Sequence, residues 1–519
     1  MFDPEPEIPQ SDLEKRFERV RSVAGLLLAP VLFLVIWWLP LSNSATPVGP
    51  DGRTGLSAAM SPQAHHLAAI MATVIWLWLT EPIPMTVTAL LGAAGCVVLR
   101  VADAKTVFAP FADPLMFLFI GSFMLARAIF LHGLDRRLAY GVMSLSWVGA
   151  RPSRILFAYG AVTAFISAWI SNTATTAMML AIGLSLVRFL KEASTASGRI
   201  DPRFATGLML MTSFAASIGG LATPIGTPPN VIGLRFIERE LGVEIPFLKW
   251  MVLGVPVVAL LYLFLFVYLN RLCPAGVREL PGSIDMLNRN RDSLGRWTAG
   301  QKSTLIAFGL TTLLWVLPGI VALFWGELSS MYSRVRSSLP EGVVAILGAS
   351  LLFLLPGNCG GRAIDWSKAT QIDWGVVLLY GGGFTLGELA NQTGLATSVG
   401  NALAGLLPGG GEWTLLVGGT LLAALVSEAT SNTASANIVV MLVISMARSA
   451  GVDPLAPALG ATFGASLGFM LPVSTPCNAI VYGTGLVPLP RMIRYGLLLD
   501  IVGVAVIILL VKILLPWIA

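Results

Sequence analysis

The chain has 519 residues, of which 55% are hydrophobic and 12% charged, with a formal net charge of +5. A soluble domain carries about a quarter of its residues charged, so one soluble core is excluded, and so small a net charge over this length gives no nucleic-acid partner. Short alternating strands of a membrane barrel are missing, which leaves helices as the spanning element, because backbone groups in lipid must bond internally.

Residues 1–22 mix acids and bases, as in Glu14-Lys15-Arg16, and are expected to form a cytoplasmic N-terminal segment. The apolar run 23–41 is long for a signal-peptide core and reads as a retained first helix. Helices 2, 3 and 4 follow at 64–80, 84–101 and 113–131. An uncharged stretch covers 155–187. Helix 5 starts near 203 and breaks at Thr223-Pro224-Ile225-Gly226-Thr227-Pro228-Pro229. Helix 6 covers 248–270, and a polar, arginine-rich loop covers 271–302. Helices 7, 8 and 9 lie at 303–325, 341–356 and 373–390. A second long stretch spans 413–447. Helix 10 begins near 455 and breaks at Leu471-Pro472-Val473-Ser474-Thr475-Pro476, and helix 11 covers 492–515. The fold class is an all-α polytopic membrane protein with about eleven transmembrane helices plus two odd stretches.

The first odd stretch holds 33 residues without a charge. As one helix it would reach about 50 Å, against a hydrocarbon core of about 30 Å. Two full crossings would need about 40 residues. Its middle carries Ser171-Asn172-Thr173, which weaken a helix. The economical solution is a re-entrant hairpin whose tip lines a protein cavity in mid-membrane. The stretch at 413–447 repeats the design around Ser431-Asn432-Thr433. Loop arginines (Arg136, Arg137, Arg151, Arg154, those of 271–302, Arg491, Arg494) place the N-terminus in the cytoplasm.

The chain also resembles itself. Ile170-Ser171-Asn172-Thr173-Ala174 echoes Thr430-Ser431-Asn432-Thr433-Ala434, an offset of 431 − 171 = 260. Asp113 and Gly121 match Asp373 and Gly381 at the same offset. Ala216-Ser217-Ile218-Gly219 echoes Ala465-Ser466-Leu467-Gly468, and Pro224 to Asn230 echoes Pro472 to Asn478. Helix 4 runs inward and helix 9 outward on this count. The repeats are therefore inverted, and paired broken helices in inverted repeats point to a secondary transporter with its site near the midplane.

Each break exposes helix N-terminal N–H groups, which favour anions, and free carbonyls, which favour cations. Asn, Ser and Thr side chains offer both donors and acceptors. The dyads Asn172/Thr173 and Asn432/Thr433 can hold two carboxylates with neutral donors. Neither motif contains Arg or Lys, so bound cations supply the positive charge, which couples anion binding to sodium. Arg127, Glu388, Glu428 and Asp500 are charges inside apolar segments. Glu428, three residues before Ser431, aligns with Ala168 in the first repeat and reads chiefly as structural pairing, with a proton or cation site as the other reading. Asp113 and Asp373 read as N-caps. The cysteines Cys96, Cys273, Cys359 and Cys477 lack metal or redox spacing, and His65, His66 and His132 sit at segment ends. No HExxH, Cys/His cluster or Walker-type loop is present, so neither an enzyme nor an ATP-driven pump is expected.

Beyond about residue 60 the chain resembles the divalent anion/sodium symporter family, on two Ser-Asn-Thr tips each followed by a Thr-Pro-X-Asn break. The resemblance implies eleven helices, two hairpins and a homodimer in the bacterial inner membrane. It implies a scaffold of 23–150 and 303–408, and an elevator-type transport domain of 151–272 and 409–519, with 273–302 as a cytoplasmic loop. It also assigns sodium 1 to Ser167, Ser171, Asn172 and Gly226, and sodium 2 to Ser427, Thr430, Asn432 and Ser474. Substrate falls on Asn172, Thr173, Thr227, Pro228, Asn432, Thr433, Thr475 and Pro476. Cys477 departs from the second proline of the first break. The expected activity is sodium-coupled import of succinate, malate or fumarate. A sodium-independent dicarboxylate exchanger, or a citrate or sulfate transporter of the same fold, are the alternatives.

Overall fold

The structure, a computed structural model, describes residues 12–39, 60–197, 201–280, 282–404 and 411–518. Secondary structure among the described residues is helical apart from one isolated bridge between Pro356 and Arg362. Six helical segments are long and apolar enough to cross a bilayer unaided: Val20–Trp38, Ala104–His132, Phe247–Leu272, Ala299–Trp325, Glu412–Ala429 and Leu489–Trp517. Their outward faces leave large apolar side chains uncovered, such as Leu263, Leu313, Phe324 and Ile501. Such faces are stable against lipid tails and not against water. The chain is an integral membrane protein.

All eleven expected helices coincide with helical segments. Helices 5 and 10 are broken as read, into Arg203–Gly219 with Pro228–Leu241 and Leu455–Gly464 with Pro476–Tyr482. Both second halves begin with proline, which suits the first helical position because its missing N–H has no helical partner there. Asp113 accepts the Leu115 amide at 3.0 Å and Asp373 the Val376 amide at 3.2 Å, capping Pro114–His132 and Trp374–Gln392.

The structure differs from the sequence reading in the start of the first helix and in several added helices. The first helix runs Asp12–Trp38, so its start lies inside the segment expected to be a separate cytoplasmic tail; Glu, Lys and Arg are good helix formers and prolong the helix. The loop 271–302 contains the helix Ser283–Ser293. Helices also form at Leu134–Met143, Ser330–Ser338 and Leu395–Ala404. Two of these, Leu134–Met143 and Leu395–Ala404, follow Pro114–His132 and Trp374–Gln392 directly, so they extend the internal repeat.

Each of the two long stretches folds into two helical arms that pack on one another. The first is Pro152–Ser167 with Asn172–Ser197. The second is Glu412–Ala429 with Asn432–Ser435, which continues through a π-helical turn, Ala436–Val440, into Met441–Ser449. That turn has a local cause. Asn437 donates its amide to the Thr433 carbonyl at 3.0 Å, the acceptor its own backbone N–H would use in an α-helix, so the helix widens there. Ala177 holds the equivalent place in the first hairpin and cannot do this.

The repeats interlock. Within each, the first hairpin arm packs on the first half of the broken helix: Pro152–Ser167 on Arg203–Gly219, and Glu412–Ala429 on Leu455–Gly464. Across repeats, Pro476–Tyr482 packs on Asn172–Ser197, and Pro228–Leu241 packs on Asn432–Ser435. Each second half-helix therefore closes on the other repeat's hairpin. Pro228–Leu241 is further tied to the surrounding helices by ion pairs from Arg235 to Asp113 and from Arg239 to Glu388.

Candidate functional site

Each hairpin turn is closed by a serine–asparagine pair, which faces the broken helix of its own repeat. Ser167 donates to Asn172 Oδ1 at 2.7 Å, and Ser427 donates to Asn432 Oδ1 at 2.8 Å. The bonds are pseudo-equivalent, each spanning five residues across a turn.

The Asn172 amide sits among oxygens. The end that meets Ser167 Oγ is also 3.1 Å from the Ala216 carbonyl and 3.3 Å from that of Gly226. With nitrogen there, Asn172 donates to all three. With Oδ1 there, four oxygens converge with no donor but the serine hydroxyl, the donor set a hard cation prefers. Hydrogen bonding decides an amide's orientation, and the nitrogen-inward form is the one that satisfies these acceptors. The chain backbone makes room for it. A Cβ on Gly220 would stand 2.4 Å from Asn172 Oδ1, and one on Gly226 would stand 2.5 Å from the Gly220 carbonyl.

The second cluster is looser. Ser427 also donates to the Ala465 carbonyl at 2.8 Å, and a Cβ on Gly468 would lie 3.3 Å from both Asn432 Oδ1 and Ser427 Oγ. Ser474 is close by, donating to the Glu428 carbonyl at 3.1 Å and to the Glu428 carboxylate.

Of the residues expected to hold sodium 1, the structure therefore brings together Ser167, Asn172 and Gly226. Ser171 caps the second arm instead, its hydroxyl 3.4 Å from the Ala174 amide and its side chain exposed. Of the sodium 2 set, Ser427, Asn432 and Ser474 converge, while the Thr430 hydroxyl bonds back to the Val426 carbonyl at 2.7 Å. Any share Ser171 and Thr430 take in an ion site would fall to their backbone carbonyls.

The expected substrate residues stand at helix N-termini. Asn172 and Asn432 open second hairpin arms, while Thr227 and Thr475 cap the helices that begin at Pro228 and Pro476. Thr475 accepts the Asn478 amide at 3.2 Å, whereas Thr227 makes no such cap bond. Thr227 and Thr475 are buried, and Asn172, Thr173, Asn432 and Thr433 are half-buried. The two repeats touch at Cys477, whose thiol faces the hydroxyls of Thr173, Thr176 and Ser217.

Sequence reasoning left out the two asparagines that hold the breaks open. Asn230 donates to the carbonyls of Gly220 and Thr223 at 2.9 and 2.8 Å, and Asn478 to those of Gly468 and Leu471, both at 3.0 Å. The duplicated Thr-Pro-X-Asn motif was the available signal. These bonds also make Gly468 the geometric counterpart of Gly220, one residue on from the Gly219 suggested by the sequence echo. Ser213, also missed, donates to Asn478 Oδ1 at 2.6 Å and ties the repeats together.

Residues 22–519 match the family model described as the sodium:sulfate symporter transmembrane region. The chain belongs to this family. It is 31% identical over 510 residues to the sodium-dependent dicarboxylate transporter SdcS of Staphylococcus saprophyticus, covering 97% of this chain and 93% of that one. It is 32% identical over 457 residues to SdcS of Staphylococcus aureus, covering 86% of each. Among solved structures it resembles the YdaH transporter of Alcanivorax borkumensis at a TM-score of 0.52 and 14% identity, covering 96% and 98% of the two chains. It resembles MtrF of Neisseria gonorrhoeae at a TM-score of 0.50 and 13% identity, covering 95% and 94%. At such identity these two likenesses concern the fold alone. Like other members of the symporter family, the chain is a transporter by descent.

Proposed function

We propose that this chain is a sodium-coupled symporter that imports C4-dicarboxylates such as succinate, malate and fumarate across the bacterial inner membrane, with its N-terminus in the cytoplasm. The observation that carries the reading is the oxygen cluster around Asn172, repeated in looser form around Asn432. Burying a dianion in the membrane needs compensating charge. The four motifs contain no Arg or Lys, and a helix N-terminus supplies only about half a charge. Sodium at Ser167/Asn172/Gly226 and at Ser427/Asn432/Ser474 would supply the rest. Asn172/Thr173 with Thr475/Pro476, and Asn432/Thr433 with Thr227/Pro228, would then meet the two carboxylates of the substrate. The names of the staphylococcal relatives support both cation and substrate class.

On this reading the hairpins and broken helices move as an elevator against the remaining helices, in a homodimer. The ion pairs Arg235–Asp113 and Arg239–Glu388 cross that boundary. Uptake of labelled succinate into proteoliposomes, with sodium replaced by potassium or choline, tests the function. Transport of sulfate or citrate in place of succinate would move the substrate assignment within the family.

A further inference from the structure

The end of the molecule that faces the cytoplasm on the reading above carries a basic platform. It is built from Leu134–Met143 and Ser283–Ser293, which pack together. The Leu280 amide donates to the Ala150 carbonyl at 2.8 Å, and Ser144 Oγ to the Leu287 carbonyl at 3.4 Å. Arg137 closes the junction: it donates to the Leu294 and Gly295 carbonyls at 2.8 and 2.9 Å, and its guanidinium stands 5.0 Å from the Trp297 ring centroid. Within residues 134–154 and 278–302, seven basic residues are exposed against three acids. Arg291 pairs with Asp292. The other six, among them Arg136, Arg289, Arg296 and Lys302, make no ion pair among the described residues.

Two tryptophans mark where the bilayer meets this platform. Trp147 packs edge-on against Phe157 of the first hairpin arm, ring centroids 5.7 Å apart, and Trp297 lies two residues before the spanning helix Ala299–Trp325. They are 50% and 43% exposed. Half-exposed indoles at the ends of spanning helices belong at the level of the lipid headgroups. The unpaired cations beside them therefore stand at headgroup depth.

The fold itself does not call for this charge. Leu134–Met143 and Leu395–Ala404 are the same element of the two repeats, each starting after a left-handed glycine, Gly133 at φ 63° and Gly394 at φ 80°. The second carries no charged residue, whereas the first carries Asp135, Arg136 and Arg137. Cytoplasmic cations orient a membrane protein, but orientation alone does not gather them unpaired around exposed indoles.

We infer that this platform binds the headgroups of anionic phospholipids in the cytoplasmic leaflet. Unpaired guanidinium groups match phosphate oxygens in a planar fork, and the indoles of Trp147 and Trp297 sit against the glycerol region. The negative leaflet surface attracts each cation within a Debye length. Both platform helices are connectors. Leu134–Met143 leads from Pro114–His132 to the first hairpin arm, and Ser283–Ser293 leads from Phe247–Leu272 to Ala299–Trp325. On the elevator reading both run between fixed and moving helices, so bound lipid holds the connectors at the surface while the helices move.

Only the choice of leaflet and this link to motion rest on the transport reading; the binding test uses neither sodium nor succinate, so the two fail separately. The full chain is reconstituted in phosphatidylcholine vesicles containing, at equal mole fraction, brominated phosphatidylglycerol or brominated phosphatidylcholine. Tryptophan fluorescence of wild type should be quenched more by the anionic lipid. The excess should disappear in W147F/W297F, fall by at least half in R136Q/R289Q/R296Q and survive added inorganic phosphate. If the triple variant does not reconstitute, R296Q/K302Q is read the same way. Equal quenching of wild type by the two lipids would overturn the proposal, as would an excess that persists in the tryptophan or arginine variants. An excess removed by inorganic phosphate would overturn it in favour of a soluble phosphate site.

Discussion

Asn230 and Asn478 do the same work in opposite halves of the chain: each donates both amide hydrogens to the carbonyls ten and seven residues before it. These bonds take up carbonyls that the broken helices leave without a helical partner, and so define the shape of each break. A buried carbonyl left unpaired costs about 1–3 kcal/mol. Asn478→Ala also strands the Ser213 hydroxyl. Thermal unfolding in detergent should show both alanine variants destabilised, with Asn478→Ala the worse. Equal stability to wild type would mean that water or a neighbour replaces the amide.

Asn172→Ala and Asn432→Ala should each abolish succinate uptake while the protein still assembles, because each removes a side chain placed at the centre of a proposed ion cluster. Size-exclusion profiles and uptake measured on the same preparation check this. Near-normal transport by either variant would reject the site assignment.

The tightness of the two clusters differs, and that gives a graded test. Gly220→Ala places a Cβ 2.4 Å from Asn172 Oδ1, whereas Gly468→Ala places one at 3.3 Å from Asn432 Oδ1. The first requires a shift of the turn and the second only a small adjustment. The sodium concentration for half-maximal uptake should rise at least about tenfold for Gly220→Ala, a 1.4 kcal/mol effect, and by less for Gly468→Ala. The reverse order would show that the second cluster dominates sodium binding.

Much of this was legible in the sequence because membrane helices are constrained so strongly. Ser171-Asn172-Thr173 and Ser431-Asn432-Thr433 stand out as like triplets near the middle of two long apolar stretches, and their spacing to the Thr-Pro breaks exposes the duplication. The helices Leu134–Met143 and Ser283–Ser293 were read as loop because their charged, amphipathic faces resemble connecting segments. The chain's own bonding decided other details. The Thr430 hydroxyl and Ser171 side chain are captured by local caps, a competition that residue type alone does not reveal. The partners of Glu428, the amides of Met470 and Leu471 and the Ser474 hydroxyl, lie 42 to 46 positions away, and only folding brings them to it.

Arg235 joins Asp113, whose side chain is 3% exposed, and Glu238 at 2.8 Å. Removing one member of a buried pair leaves an uncompensated charge and costs about 3–5 kcal/mol. Arg235→Ala should therefore lower the unfolding temperature markedly, and adding Asp113→Asn should restore part of it. Purely additive losses would show that the two residues act independently.

Sodium dependence of succinate uptake in proteoliposomes tests the central claim most directly. Uptake should fall to background when external sodium is replaced by potassium or choline, and succinate affinity should rise with sodium concentration, since binding of each ligand must favour the other. Uptake that persists unchanged without sodium and follows internal dicarboxylate instead would contradict the account and make the protein an exchanger.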